Sequence, residues 1–96
     1  MSWPTLDELT AWRALASAAR DVAESPTMRA CAHLRSLARL SGALPVPGWQ
    51  TNRPRLELFA KLVRLARDYH AGERAELAEL AVQVERELAA YERTDR

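Results

Sequence analysis

Cysteine is almost absent from this sequence, since Cys31 is the only one among 96 residues. No disulfide can form within one chain, so the fold needs no oxidising compartment. Long apolar runs are missing too: the longest is Leu88 to Tyr91, far short of the ~20 residues that cross a bilayer. The first residues lack the basic start and apolar centre of a secretion signal. We therefore expect a cytoplasmic protein that does not enter a membrane.

The chain is also too short for a second independent core, so residues 1–96 are expected to form a single helical domain. Its composition, 48% apolar and 28% charged, is typical of a folded chain rather than a disordered one. A domain of this size buries only about 60–65% of the surface that its unfolded chain exposes. A protein partner or a second copy of the chain would therefore add to its stability.

Apolar residues recur at helical spacing along most of the sequence and predict an all-α fold, a compact antiparallel four-helix bundle. The four predicted helices cover about residues 5–24, 26–41, 54–71 and 73–93. The fourth has the narrowest apolar stripe, which suits pairing with a neighbouring helix. That stripe consists of Leu77, Leu80, Ala81, Val84, Leu88 and Tyr91.

Local signals set these boundaries. Thr5 followed by Glu8 has the spacing of a capping box, and Ser25-Pro26 interrupts the first helix, with the proline placed in the first turn of the second. Residues 42–53 contain two prolines and two glycines, which predicts an irregular loop. Thr51 or Asn52 can cap the third helix.

Gly72 leaves two architectures open. A glycine is unfavourable inside a helix and common just beyond its end, which favours a turn there and a four-helix hairpin arrangement. No Ser, Thr, Asp or Asn caps a new helix at this point, however, and the apolar stripe keeps its phase across it. The alternative is three helices, with one long C-terminal helix over 54–93 that forms a dimer. His70 falls in the apolar arc of the third helix in either case.

Acidic residues are absent between Glu24 and Glu57, although the net charge of the chain is only +1. Arginines in and next to this stretch form a candidate nucleic-acid-binding surface, because guanidinium groups bind phosphates. They are Arg29, Arg35, Arg39, Arg53 and Arg55. The alternative is a solvated face whose arginines pair with acids on the first and fourth helices.

Trp49 is the candidate partner-binding residue. A tryptophan in a proline-rich loop either closes the open end of the bundle or anchors a protein partner. The sequence leaves both open.

No pattern indicates a metal, a cofactor or a catalytic site. A di-iron bundle needs Glu-x-x-His pairs, but Arg67 precedes His70 and Ala30 precedes His33 at that spacing. The spacing of Arg64 and His70 resembles the Arg-x(4–6)-His motif of the HEPN helical ribonucleases, which implies RNA cleavage across a dimer. On one helix, though, these two side chains point about 120° apart.

We therefore expect a non-catalytic helical interaction or assembly subunit, such as an adaptor, an accessory subunit or an inhibitor of a larger complex. Its partner would be another protein or a second copy of the chain. The alternative is a nucleic-acid-associated helical subunit of a ribonucleoprotein or a DNA-binding complex.

Overall fold

The computed structural model describes residues 6–44, 46 and 52–94, and these residues form four α-helices. The helices are α1 (Leu6–Glu24), α2 (Met28–Ser41), α3 (Arg53–Arg67) and α4 (Arg74–Thr94). Each helix packs against the next one in the chain, and α1 also packs against α4, which closes the bundle. The radius of gyration is 12.7 Å, close to the ~12.5 Å expected for a compact domain of this length. The predicted all-α four-helix bundle is confirmed.

The core is a single cluster to which all four helices contribute. At its centre Trp12 of α1 meets Phe59 of α3, with ring centroids 4.8 Å apart and ring planes at 57°. The apolar stripe predicted for α4 is buried along its whole length. Packing of these apolar faces, rather than helix propensity alone, stabilises helices of this length.

Two ion pairs connect α1 and α4. Arg13 pairs with Glu92, and Arg20 pairs with Glu85 at 2.5 Å between nitrogen and oxygen. Along α1 the two arginines come in the order 13 and 20, whereas their partners on α4 come in the reverse order, 92 and 85. The two helices are therefore antiparallel. All four side chains remain partly exposed, so these pairs set the alignment of the helices more than they add stability.

Arg74, the first residue of α4, binds the end of α1. Its guanidinium donates hydrogen bonds to the backbone carbonyls of Ala23 and Glu24, the latter at 2.9 Å. The last turn of α1 has no basic residue of its own, and the final carbonyls of a helix lack partners within it. Arg74 therefore supplies both the hydrogen bonds and the positive charge that this helix end favours.

α2 begins two residues later than predicted. Thr27 is its N-cap, and its side-chain oxygen accepts a hydrogen bond from the backbone N–H of Ala30 at 3.0 Å. Pro26 therefore precedes the cap instead of occupying the first turn. At the start of α3 the prediction is confirmed: the side chain of Asn52 accepts from the backbone N–H of Arg55 at 2.9 Å.

The joint near Gly72 is a turn, so the hairpin is confirmed and the alternative helix over 54–93 does not form. α3 ends at Arg67, four residues before the predicted end, and one turn of 3-10 helix at Ala71–Glu73 leads into α4. The Glu73 carboxylate accepts from the backbone N–H of His70 at 2.9 Å, which caps this turn. Because His70 lies beyond α3, its predicted place in the apolar arc is wrong, and its side chain is exposed.

The cap predicted at Thr5 lies outside the described residues. So do residues 45 and 47–51 of the predicted irregular loop. The described residues of that loop before α3, namely 42–44, 46 and 52, are not helical. No helix among the described residues is long and apolar enough to cross a membrane.

Candidate partner groove and arginine surface

A groove of about 800 Å³ runs along one side of α3. We call it the α3 groove. It is lined by Trp12 of α1, by Gly42, Ala43, Leu44 and Val46 of the segment after α2, and by Leu56, Ala60, Val63, Arg64 and Arg67 of α3. Its volume lies within the ~300–1,000 Å³ typical of binding sites in proteins.

The groove lies where α2 ends beside the C-terminal half of α3. The chain leaves α2 at Gly42, so close to α3 that a Cβ at this position would lie 3.4 Å from Cγ1 of Val63 and 3.2 Å from the carbonyl oxygen of Ala38. Beyond this point Ala43, Leu44 and Val46, which are not helical, border the face of α3, and the groove lies between these residues and that face.

Apolar side chains of α3 form one wall of the groove over its N-terminal part. Leu56, Ala60 and Val63 are spaced by four and three residues, so they lie on one face of the helix. Leu56 is 36% exposed and Val63 is half-buried. Trp12, only 1% exposed, forms the floor. The groove follows α3 for about three turns, or ~16 Å from Leu56 to Arg67.

Arg64 and Arg67 lie at the other end of the groove. They are exposed and three residues apart, so they occupy neighbouring positions on the helix surface. Neither makes an ion pair with any residue that the structure describes. Both lie in the last turn of α3, where positive charge stabilises the helix end. The partial negative charge at the end of the helix balances only part of the two positive charges.

The charges of the bundle are divided between two sides. α1 and α4 together carry five basic and nine acidic residues, whereas α2 and α3 carry eight basic residues and one acid. The small net charge of the chain therefore hides a strongly positive side formed by α2 and α3. Such a field attracts acidic partners and speeds their association.

Of the five arginines predicted to bind nucleic acid, three share the exposed face of α2. Arg29, Arg35 and Arg39 are all exposed, and α2 contains no acidic residue. The side chain of Arg35 donates to the carbonyl of Cys31 in its own helix at 3.3 Å. No acid of α1 or α4, among the described residues, pairs with these three arginines.

The other two arginines are placed differently. Arg53 is 88% exposed and pairs with Glu57 in the next turn at 3.5 Å. Arg55 is only 4% exposed, and its Nε donates to Oε2 of Glu87 on α4 at 3.0 Å. Its guanidinium also lies 5.7 Å from the ring centre of Tyr91, within the range of a cation–π interaction. Arg55 is thus engaged inside the bundle, and we leave it out of the candidate nucleic-acid surface.

Three further sequence features have different outcomes. Trp49, the predicted partner-binding residue, lies outside the described residues. Arg64 lies on α3 while His70 lies in the linker beyond it, so the two do not share a helix as the spacing motif assumed. In the described part of the chain, no three His, Cys, Asp or Glu side chains are placed to hold a metal ion.

The groove was not predicted from the sequence. The sequence signal for it is the wide apolar arc of α3, which includes Leu56 and Val63. Arg64 and Arg67 continue the stripe of Leu56, Ala60 and Val63 by one more turn. The position of the groove depends on where α2 ends relative to α3, and local sequence patterns do not show this.

Comparison with known proteins finds no family model, no curated protein and no solved structure that matches this chain.

Proposed function

We propose that this protein is a small non-catalytic helical subunit that binds another protein in the α3 groove, as an adaptor, an accessory subunit or an inhibitor of a larger complex. The groove is the single observation that carries the proposal. It combines an apolar wall around Leu56 and Val63 with an open rim, the surface that apolar side chains of a partner bury favourably. We further propose a cytoplasmic location, because the fold uses no disulfide and Cys31 is free.

The decisive variant is Ala60→Glu. Ala60 is exposed and lines the groove, so a glutamate there occupies the space of a partner without disturbing the core. It also lies four residues before Arg64, and a Glu–Arg pair at this spacing stabilises a helix by about 0.2–0.5 kcal/mol. The variant should therefore fold as well as the wild type does and lose only binding.

Ala32→Glu is the matched control. Ala32 is also exposed and helical, but it lies on α2 away from the groove lining. The tagged protein would be purified from its native host, and a protein captured by the wild type would then be produced and titrated calorimetrically. We expect Ala60→Glu to weaken its binding about tenfold or more and Ala32→Glu to leave it within about twofold. Equal binding by all three proteins would refute the proposal.

The unpaired arginines of α2 favour a second candidate function, a nucleic-acid-associated subunit. Arg29, Arg35, Arg39 and the exposed Arg53 would bind phosphates. The test is fluorescence anisotropy of single-stranded RNA and DNA at low salt, with Arg29, Arg35 and Arg39 changed to glutamine. If these three residues each contact a phosphate, the slope of log affinity against log salt falls in magnitude by about 2 in the variant. Absence of wild-type binding at low salt would reject this function.

A further inference from the structure

We propose that the segment bound in the α3 groove is an amphipathic helix of a different protein, with two carboxylates in its N-terminal turn followed by an apolar stripe, lying antiparallel to α3. This inference rests on the proposed function and specifies the chemistry of the partner. It is carried by the length of the groove, the order of its apolar and basic parts, and the absence of a matching helix among the described residues of this chain.

The length and setting of the groove favour a helix over an extended peptide. Extended peptides bind by pairing their backbone with the open edge of a β-sheet, or as a polyproline helix on an aromatic-lined groove. The described residues contain no strand, and the one aromatic side chain among those that line the groove is the buried Trp12. The backbone groups of α3 beside the groove are already bonded within that helix. A bound helix bonds its own backbone internally and needs to offer only side chains. About three turns of it would match the span from Leu56 to Arg67.

The order of the groove residues sets the polarity of the partner. Apolar contacts come from Leu56, Ala60 and Val63, whereas the charges come from Arg64 and Arg67 near the C-terminal end of α3. A bound helix would cover part of these guanidinium groups, which is unfavourable unless carboxylates replace the lost water. Two carboxylates one turn apart on the partner match the three-residue spacing of the arginines.

The antiparallel direction follows from the helix dipoles. A helix antiparallel to α3 places its N-terminus beside Arg64 and Arg67. Asp and Glu are favourable in the first turn of any helix, because the amide end carries partial positive charge. The same carboxylates can therefore stabilise the partner helix and bind the two arginines. In the parallel direction the negative C-terminal end of the partner would carry the acids, which opposes helix formation.

The described residues of a second copy of this chain do not supply such a helix. α4 has early acids followed by an apolar stripe, but that stripe is buried in its own core. The large apolar side chains exposed in the described residues are Met28, Leu40, Leu56 and Val82, and no two of them lie three or four residues apart. Among the described helices, α3 itself presents an apolar stripe in the groove, but its one acid, Glu57, already pairs with Arg53, so α3 of a second copy does not offer two carboxylates. The charge division between the two sides of the bundle likewise points to an acidic partner.

The experiment selects four-turn helical peptides from a yeast-displayed library, randomised along one face, on the full-length protein. The expected winners carry two acids in the first turn and large apolar residues at three- and four-residue spacing after them. Synthetic peptides of the winning sequence should lose affinity about tenfold or more for Arg64→Glu/Arg67→Glu, and a peptide with its acids changed to lysine should regain it. Arg64→Gln/Arg67→Gln gives an intermediate loss and controls for effects on helix stability.

Three outcomes would overturn the inference. The first is that the selected peptides fail to bind Ala60→Glu but show no enrichment of acidic residues. The groove would then still be the binding site, and the proposed function would be unaffected. The second is the absence of any winner sensitive to Ala60→Glu. The third is a dimer of the free protein in sedimentation velocity that Ala60→Glu abolishes, since the occupant would then be a second copy.

Discussion

Replacing Arg55 by alanine tests the most unusual contact of the bundle. Arg55 is 4% exposed and bonded to Glu87 at 3.0 Å, while Glu87 keeps 38% of its side chain exposed. Removing one partner of a fully buried ion pair costs about 3–5 kcal/mol. Because Glu87 can regain water in the variant, we expect a smaller loss, about 2–3 kcal/mol, which includes the cation–π contact with Tyr91. The cap of α3 is unaffected, since Asn52 binds the backbone N–H of residue 55.

The expected loss in the free energy of unfolding is large for a protein of this size. A destabilisation of 1 kcal/mol lowers Tm by about 4–8 °C in domains of 60–100 residues, so Arg55→Ala should lower it by about 10–20 °C. Urea denaturation followed by circular dichroism gives the free energy of unfolding directly. Arg53→Ala is the matched control: it removes an arginine from the same helical turn, but this one is 88% exposed, and its loss should be below about 0.5 kcal/mol.

A double-mutant cycle with Glu87→Ala separates the ion pair from the packing of the arginine. Groups in direct contact show coupling energies of about 0.5–3 kcal/mol, and we expect at least 1 kcal/mol here. The reasoning is refuted if Arg55→Ala is no more destabilising than Arg53→Ala, or if the coupling is zero within error. Arg55 would then return to the candidate nucleic-acid residues.

The remaining predictions concern single residues. Arg74→Ala should destabilise the fold by about 1 kcal/mol through loss of the hydrogen bonds to the end of α1, whereas Arg86→Ala on the exposed face of α4 should change it by less than about 0.5 kcal/mol; thermal denaturation compares the two. Gly72→Ala should be neutral or stabilising by up to about 1 kcal/mol, because a Cβ there meets nothing within 4 Å, and light scattering should still find the oligomeric state of the wild type. Trp49→Ala decides between the two predicted roles of Trp49: an unchanged Tm with partner binding weakened about tenfold assigns it to the partner, and a lower Tm with unchanged binding assigns it to the bundle.

Features with a local cause were predictable from the sequence. Asn52 caps α3 because a side-chain oxygen can reach the backbone N–H three residues on, a relation visible in the sequence itself. The stripe of α4 was predicted because helical periodicity fixes which side chains share a face. The α2 boundary was misplaced by two residues because both Ser25 and Thr27 can cap a helix, and the choice between them depends on packing.

The turn near Gly72 shows a local signal that was overlooked. His70 stands at the cap position, where Ser, Thr, Asp or Asn is usual. The structure uses the other half of a capping box, in which the Glu73 carboxylate accepts from the backbone N–H of His70. A glutamate three residues after a candidate cap position is therefore a sequence signal for the start of the new helix.

The buried position of Arg55 cannot be predicted from local sequence patterns. In sequence it is one of five arginines in a stretch without acids, and the acid that binds it, Glu87, lies 32 residues further along the chain. Only the packing of α3 against α4 brings the two together. Its four-residue spacing from the buried Phe59 was the one available sign that it faces the core.

The two candidate functions share the positive side formed by α2 and α3, so salt dependence alone does not distinguish them. Both an RNA strand and an acidic helix would bind less tightly at high salt, because both neutralise exposed arginines. They differ in what else they need. Phosphate binding requires only charge and would be weakened by substitutions at Arg29, Arg35 and Arg39, whereas a helix also needs the apolar wall around Val63. A ligand that is lost with Ala60→Glu but retained after neutralisation of α2 is therefore a protein helix, and the reverse pattern identifies a nucleic acid.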